Sequence, residues 1–490
     1  MIIPVVFSLT PVLDNIVLGW VFYKSIDIVK SYGWPVFAQK QYYDINVEQK
    51  KQELFSESSC RCFDYEAYQP EDKQRIIPEI FPQKIIDEYI ARFPSQTDAY
   101  YASMLSAWPE MTDFMVERVK ADEARLGEKT EAFLCHSDAP FIREAADKLG
   151  IKIIHFELGP FRWNTYRNTA YLDFVGTVCD GEMSARYQVF QAIAHEVPIL
   201  TRREILAVFL NDENLHYASD EDPEPEFSGG LVLPFTVALG PLIRNQISAL
   251  EMLTRVRSVL GNDSLQVRYH PGDFLNARIP GVQERSGSLI DFVQSSRRLF
   301  TDSSNVDYEA MLFNRPVYDF GDSQYGLFAN HDMTGLPDRI ASEEFLSFIA
   351  FGYLVPFEML KSINYLRWRL SNPGEAEIYR YHLAYYLNCL QVPEEVLDMP
   401  SQERFAAILK HRGTALEEDI PLQDIPIWMK KDEVSRLNIS LNRLERRYEH
   451  LKKQKEEEIR ALLNSRSYRY TRPLRDALAV VRRFLGRTGG

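Results

Sequence analysis

The stretch AFLCHSDAPFIREAADKLGIKIIHF, residues 132–156, decides the fold class of this chain. Its first residues form a mostly apolar run that predicts a strand, residues 139–149 carry apolar side chains at helical spacing, and residues 151–156 predict a second strand. Gly150 stands between helix and strand, where a left-handed cap commonly ends a helix. Because a strand–helix–strand unit builds a parallel sheet with a right-handed crossover, we expect an α/β fold.

The same pattern returns after residues 212–226 (DENLHYASDEDPEPE), which contain seven acids, two prolines and no Lys or Arg. This composition predicts an acidic linker, which we place at 212–228. The pattern that follows predicts strands at 231–237, 265–269, 298–301 and 316–320, and helices at 242–260 and 305–313. We therefore expect two Rossmann-like domains, 1–211 and 229–345, that face a cleft and bind ligands at the carboxyl ends of their strands.

The remaining segments are predicted to be mostly helical. We expect helices in residues 41–130, and a helical segment at 346–413 that packs back on the body of the protein. An acidic linker is expected at 414–431 and a basic amphipathic tail at 466–490. Between them, 432–465 places apolar residues at the 3-4 spacing of a coiled coil, namely Val434, Leu437, Leu441, Leu444, Tyr448 and Leu451. Such a coiled coil would permit a homodimer.

Composition and charge exclude several classes of protein. The chain has 490 residues, and its 45% hydrophobic content is enough for two or three packed cores, which excludes a mostly disordered chain. The net charge of −14 argues against a general nucleic-acid binder. The last 61 residues nevertheless carry 17 Lys and Arg against 8 Asp and Glu, which favours attraction of the tail to an anionic membrane surface. A solubilising end is the alternative.

Three loops carry candidate chemistry, and the first is VRYHPGD, residues 267–273. His270 ends a predicted buried strand and Pro271 restricts its backbone, so the imidazole would point into the cleft. There it could donate a hydrogen bond to a phosphate or protonate a leaving group, with Arg268 adding positive charge nearby. The alternative is a core histidine at a strand end.

The second loop lies in LFTDSSNVDYEAMLFNRPVYDFG, residues 299–321. Ser303 and Ser304 stand between a strand and a helix, where backbone N–H groups and hydroxyls suit a phosphate. The alternative is a capping box from Ser304 to Asp307. Glu309, one turn into the helix, could accept hydrogen bonds from ribose hydroxyls, or could simply lie on a solvated helix face.

The third loop lies in HFELGPFRWNTYRNTAYLDFVG, residues 155–176. Glu157 follows a strand and so sits at a carboxyl end, and Asp173 lies further along. A carboxylate here could act as a base toward an acceptor hydroxyl or as the nucleophile itself. The alternative is a structural acid paired with Arg162. His136 and Asp138 follow the preceding strand and line the same edge.

Familiar catalytic motifs are missing from the sequence. No GxGxxG, GxxxxGK[ST], HExxH or GxSxG stands at these loops, which argues against dinucleotide enzymes, P-loop NTPases, zincins and α/β-hydrolases. No DxD-like metal site appears in the two phosphate-side loops. We therefore expect neither a metal nor a cofactor.

The motifs resemble those of known glycosyltransferases. His270-Pro271 with Ser303-Ser304 resembles the CMP-sugar site of bacterial sialyltransferases of the GT-B fold. It is more similar still to the bacterial Kdo transferases of capsule and O-antigen synthesis, whose phrase SS…EA(L/M)L…(R/K)PV…FG is here SSNVDYEAMLFNRPVYDFG. The stretch from Glu157 to Gly176 (ELGP–R–NT–YLD–G) is similar to the retaining β-Kdo branch, and the resemblance covers roughly residues 130–325.

This resemblance implies a cytoplasmic GT-B enzyme, peripheral to the inner membrane, that transfers Kdo from CMP-Kdo to a glycan or lipid-linked acceptor. By position, His270 would contact the donor phosphate, Ser303 and Ser304 would bind it, and Glu309 would face the ribose. Glu157 would lie in the catalytic cleft.

The sequence departs from the retaining branch in one place. That branch has an acidic residue after the strand near residue 233, whereas this chain reads LPFTVALGPLI over 233–243. A nucleophile would then come from Glu157, Asp173 or Asp138, or be missing. Two alternatives therefore stay open: an inactive scaffold that kept the fold, and a GT-B transferase with another nucleotide-sugar donor.

Overall fold

A computed structural model describes most of the chain up to residue 412. The described ranges are 1–9, 19–44, 70–136, 139–162, 165–176, 181–218, 223–233, 247–260, 264–269, 279, 282–321, 323–333 and 338–412. They all fall within one compact unit, residues 1–422. His270, Asp138, the linker at 414–431, the coiled coil at 432–465 and the basic tail at 466–490 lie outside the described residues, so these predictions stay predictions.

The first sheet of the described structure has seven strands. They are β1 (Ile2–Val6), β2 (Pro35–Ala38), β3 (Ile77–Ile80), β4 (Ala132–Cys135), β5 (Lys152–Leu158), β6 (Thr169–Asp173) and β11 (Leu354–Pro356), in the order β11-β6-β5-β4-β1-β2-β3. The strands β1 to β5 are parallel, whereas β6 runs antiparallel to β5 and β11 antiparallel to β6. The parallel part is what the strand–helix–strand unit predicts.

The second sheet is parallel throughout its described strands. It contains β7 (Gly229–Leu233), β8 (Leu265–Tyr269), β9 (Leu299–Thr301) and β10 (Val317–Asp319), in the order β10-β9-β7-β8. Its strands start and end within a few residues of the predicted positions. The α/β fold class is therefore confirmed.

Helices connect and cover the two sheets. The described α-helices are Gly19–Val29, Lys40–Asp44, Gln83–Ile90, Gln96–Leu105, Pro109–Leu126, Pro140–Leu149, Met183–Ile193, Arg202–Phe209, Ala249–Leu260, Leu289–Ser295, Val306–Leu312, Glu343–Ser347, Ile363–Leu370, Glu375–Cys389 and Ser401–Arg412. Helix Pro140–Leu149 buries one face and ends at Gly150, whose φ of 67° is the left-handed cap that the sequence predicts. Among the described helices, none is long and apolar enough to cross a bilayer.

Three secondary-structure predictions are corrected. The segment 41–130 is not all helical, because it contributes β3 to one edge of the first sheet. The segment 346–413 contributes β11 to the other edge, between a π-helix and a 3-10 helix. The segment predicted to be an acidic linker begins with a 3-10 helix, Asp212–Ala218.

One large apolar cluster packs the β5–β6 connection against the helices of the second half. Phe161 lies with its ring centroid 4.5 Å from that of Phe209 and 5.4 Å from that of Tyr308, which belongs to helix Val306–Leu312. All three rings are buried in the same cluster. A loop of the first sheet and the helix that follows β9 are therefore held together by buried aromatic contacts.

Candidate functional site

The carboxyl edge of the parallel strands in the first sheet carries an imidazole–carboxylate pair. Glu157 lies near the end of β5 and His136 directly follows β4, and His136 Nε2 contacts Glu157 Oε2. The Glu157 side chain is 27% exposed and the His136 side chain 22%, so both can be reached from solvent. Burial acts to raise the pKa of Glu157, but the His136 imidazole, the N–H of Leu158 and the charge of Arg162 together hold the pKa below its usual range.

Arg162 does not pair with Glu157, so the alternative of a structural Glu157–Arg162 pair is wrong. The Nε of Arg162 instead donates to the carbonyl oxygen of Gly159 at 3.1 Å, and the side chain is exposed. The partner of Glu157 is His136, which the sequence placed on the same edge. The signal was therefore present: the parallel strands β4 and β5 are neighbours, and their ends lie side by side.

Two tyrosines connect this edge to the second sheet. The Tyr166 hydroxyl donates to Glu309 Oε2 at 2.9 Å. The Tyr171 hydroxyl donates to Asn305 Oδ1 at 2.7 Å, just before the helix that carries Glu309. Tyr171 also pairs with Glu157 across the β5–β6 ladder. These hydrogen bonds place Glu157, the candidate catalytic residue, and Glu309, the candidate ribose-binding residue, in one region of the molecule.

Glu309 is buried, so the alternative of a solvated helix face is wrong. Its residue is 5% exposed within helix Val306–Leu312. Burial raises the pKa of Glu309 to about 7, although the Tyr166 hydroxyl and the charges of Arg162 and Arg268 act in the opposite direction. Among the described residues, Tyr166 is the side-chain donor to this buried carboxylate, which can still accept a hydrogen bond from a ligand.

The replacement Glu309→Gln is expected to stabilise the protein above neutral pH. The folded pKa is raised from 4.5 to about 7, so the folded state holds a proton that the unfolded state lacks between these values, and stability falls as pH rises through this window. The amide should remove a cost of up to about 3 kcal/mol at pH 8 and change little at pH 4.5. Urea unfolding at both pH values measures this difference.

A matched control is Glu344→Gln, since Glu344 also accepts a tyrosine hydroxyl, from Tyr187 at 3.0 Å, but is less buried. Its replacement should change the free energy of unfolding much less, because the side chain is less buried. Equal stability of the Glu309→Gln variant and the original protein at both pH values would contradict the assignment of a raised pKa to Glu309.

The loop after β9 holds Ser303 in an unusual conformation. The φ of Ser303 is 52°, in the left-handed region, and its N–H donates to Asp319 Oδ1 at 2.8 Å. Its hydroxyl is buried and bonds no described residue. The Ser304 hydroxyl accepts from the N–H of Val306 at 3.3 Å rather than from that of Asp307, so the predicted capping box is absent.

Asp319 organises this loop, and the sequence analysis missed it. Besides Ser303 N–H, Asp319 accepts from the N–H groups of Gly321 at 3.0 Å and Ser323 at 2.8 Å. A Cβ at Gly321 would lie 2.2 Å from Ser303 Oγ and 2.3 Å from Asp302 Oδ1, so a larger residue would have to displace both side chains. The phrase DFG after a strand was the available signal, because a carboxylate followed by glycine commonly binds nearby backbone amides.

Arg268 lies on β8 and donates from NH1 to the carbonyl oxygen of Gly287 at 3.0 Å. It is close enough to Glu309 for its charge to act on the pKa of that carboxyl. His270, the next candidate along this strand, lies outside the described residues. The described donor-side candidates of the second sheet are Arg268 near the end of β8, Ser303 and Ser304 after β9, and Glu309 in the helix that follows, and β7 lies between β8 and β9.

Asp173 is placed apart from the other candidates. Strand β6 is antiparallel to β5, so its carboxyl end lies away from the carboxyl end of β5, near which Glu157 lies. Asp173, the last residue of β6, pairs with His155. Its residue is 1% exposed, and its carboxylate accepts four hydrogen bonds, from the N–H groups of Val175, Gly176 and Glu182 and from the Tyr353 hydroxyl. These contacts favour a structural role over contact with a substrate.

The described residues contain no group of three or more His, Cys, Asp or Glu that could hold a metal ion.

Part of the chain is similar to known glycosyltransferases. Residues 15–182 match the N-terminal domain of the glycosyltransferase 99 family. Two solved structures are similar, KpsC β-Kdo 2,7-transferase and KpsC β-Kdo 2,4-transferase of Thermosulfurimonas dismutans, each at 14% identity. The first covers 49% of this chain and 82% of the other at a TM-score of 0.32, and the second covers 48% and 87% at 0.28. A comparison with curated proteins gave no match. Over residues 15–182, the family match confirms the resemblance to a glycosyltransferase family that the motif blocks indicated.

Proposed function

We propose that this protein transfers Kdo from CMP-Kdo to a glycan or lipid-linked acceptor in the synthesis of a bacterial surface polysaccharide. The observation that carries the proposal is the hydrogen bond between Tyr166 and Glu309. It brings the carboxyl edge of the first sheet, with Glu157, next to the helix that follows the serine loop of the second sheet. This arrangement supports a GT-B-like cleft, in which ligands bind at the carboxyl ends of parallel strands.

The donor nucleotide is proposed to bind at the second sheet. The buried Ser303 hydroxyl and the backbone groups around it would hold the phosphate, together with Ser304 and His270. Glu309 would accept hydrogen bonds from the ribose hydroxyls in its ionised form. Arg268 adds positive charge on β8 of the same sheet, which suits an anionic nucleotide.

Glu157 is proposed to act as the general base. The acceptor oxygen would attack the anomeric carbon, its proton would pass to Glu157, and the bond from that carbon to the CMP phosphate oxygen would break. The leaving phosphate would gain charge, which the serine loop and His270 would stabilise. The lowered pKa of Glu157 keeps it ionised near neutral pH and so ready to accept this proton.

Replacing His136 by Gln is expected to shift the acid limb of the pH–rate profile to higher pH. Because the imidazole holds the pKa of Glu157 down, its loss raises that pKa, and the base is protonated at a higher pH than before. Initial rates of CMP release from pH 4 to 8 measure the shift. The exposed His195 supplies the control, since His195→Gln should leave the profile unchanged. An unmoved acid limb in the His136→Gln variant would argue against Glu157 as the base.

The direct test is CMP release by the purified protein during incubation with CMP-Kdo and a glycolipid acceptor. The proposal expects release that depends on both substrates and is lost in a His270→Ala variant. Absence of turnover with CMP-Kdo and with other CMP-sugars would overturn it in favour of the scaffold alternative. In that case His270→Ala would change no phenotype, whereas deletion of 432–490 would abolish function.

A further inference from the structure

We propose that Arg162 binds the carboxylate of the donor sugar and so selects sugar acids over neutral nucleotide sugars. This inference rests on the proposed function and adds to it a residue that determines specificity. It concerns the sugar moiety, whereas the residues discussed above concern the nucleotide and the acceptor hydroxyl.

The first argument is that the backbone carrying Arg162 is fixed before any ligand arrives. The carbonyl oxygen of Arg162 accepts from the N–H of Tyr166 at 2.9 Å, which closes a turn. The N–H of Arg167 donates to the carbonyl oxygen of Phe209 at 2.7 Å, so this turn is also tied to helix Arg202–Phe209. The Nε contact to Gly159 then restrains the side chain itself. A preorganised arginine loses less entropy when it binds an anion.

The second argument is its position between the two sides of the site. Gly159, which accepts from Arg162, lies two residues after Glu157. Tyr166, in the same turn as Arg162, binds Glu309. The charge of Arg162 acts to lower the pKa of both carboxyls, which agrees with this position. In a nucleotide sugar the sugar connects the nucleotide to the acceptor, so the sugar should lie between Glu309 and Glu157.

The third argument is that the guanidinium of Arg162 is available to bind a ligand. Its side chain is exposed, and its terminal nitrogens have no hydrogen bond to any residue in the described part of the chain. A guanidinium fork matches a carboxylate through two parallel hydrogen bonds, which a neutral sugar cannot offer. The donor phosphate is the other candidate anion, but the serine loop of the second sheet already offers a buried hydroxyl for it.

The experiment compares CMP-Kdo with CMP as ligands of Arg162→Gln by titration calorimetry. CMP carries the phosphate and ribose without the sugar carboxylate. We expect the Kd for CMP-Kdo to rise roughly 10- to 100-fold, as for the loss of a charge-assisted pair, while the Kd for CMP changes less than about twofold. Arg92→Gln is the matched control, because Arg92 is an exposed arginine paired with Glu110 away from this edge, and it should change neither value.

Each other outcome overturns the inference in a recognisable way. Equal weakening of CMP and CMP-Kdo would assign Arg162 to the phosphate, and no weakening of either would show that Arg162 contacts no anion of the donor. If the original protein binds neither ligand, the proposed function fails first. A thermal unfolding midpoint equal to that of the original protein excludes misfolding as the cause of lost affinity.

Discussion

Replacing Glu157 by Gln is expected to lower kcat by about 100- to 10,000-fold, the usual contribution of a positioned general base. The amide keeps the size of the side chain and can still accept from the N–H of Leu158, which now donates to Oε1 at 2.7 Å. It cannot take a proton from the acceptor hydroxyl. Because the nucleotide is proposed to bind at the other sheet, the Kd for CMP should stay within about twofold.

Glu131 offers a control at the opposite edge of the same sheet. It precedes β4, whereas Glu157 lies near the end of β5, and it is a partly exposed carboxylate paired with Arg367 at 2.6 Å. Steady-state kinetics of Glu131→Gln should therefore resemble those of the original protein. A Glu157→Gln variant that keeps more than a tenth of kcat would remove Glu157 from the role of base.

The second large effect is expected at a buried ion pair. Arg404 donates to Glu204 through Nε at 2.6 Å and NH2 at 2.9 Å, and Glu204 is fully buried. Replacing Arg404 by Met should lower the free energy of unfolding by about 3–5 kcal/mol, because the carboxylate is left buried without its partner. Helix Ser401–Arg412 would also lose one of its attachments to helix Arg202–Phe209, whereas Arg412 would still donate to the carbonyl oxygen of Ala207. Denaturant unfolding measures the loss.

Two comparisons make this result specific. The double variant Arg404→Met with Glu204→Gln should recover part of the loss, since the uncompensated charge is then removed. The surface pair Arg255–Glu251, about half exposed on both sides, should cost no more than about 0.5 kcal/mol when Arg255 is replaced by Met. A loss below about 1 kcal/mol for Arg404→Met would mean that water or another group reaches Glu204.

The parallel strands were predictable because their signals are local. Residues 132–156 combine apolar runs, a helical period and a glycine at the position where a left-handed cap is needed, and all three agree. The strands β8, β9 and β10 likewise follow from short apolar runs between turn residues. Such agreement between periodicity and turn chemistry requires no knowledge of distant contacts.

The strands β3 and β11 were missed for the opposite reason. They have four and three residues and contain Pro78, Glu79 and Pro356, so neither shows an alternating apolar pattern. Both are edge strands, where proline is tolerated because one side of the ladder is unpaired. Only the neighbouring strand, far away in sequence, determines that these residues are extended.

The sequence was enough to predict which end of the sheet carries the candidate residues, but not the distant residues that bond to them. Parallel topology was enough to place His136 and Glu157 on one edge. The burial of Glu309 was not predictable, because it depends on Tyr166, which lies 143 residues earlier in the chain. The same holds for Asp173, whose four hydrogen bonds come partly from Tyr353, 180 residues later.

The position of β11 has a consequence for how the polypeptide is made. Leu354–Pro356 pairs with β6. The first sheet therefore has an unpaired edge at β6 until the ribosome has added about 140 residues beyond position 211, the predicted end of the first domain. A nascent chain at that stage would expose the backbone of Thr169–Asp173, a surface prone to intermolecular pairing. Translation that stops early should therefore yield aggregates rather than an independently folded amino-terminal half.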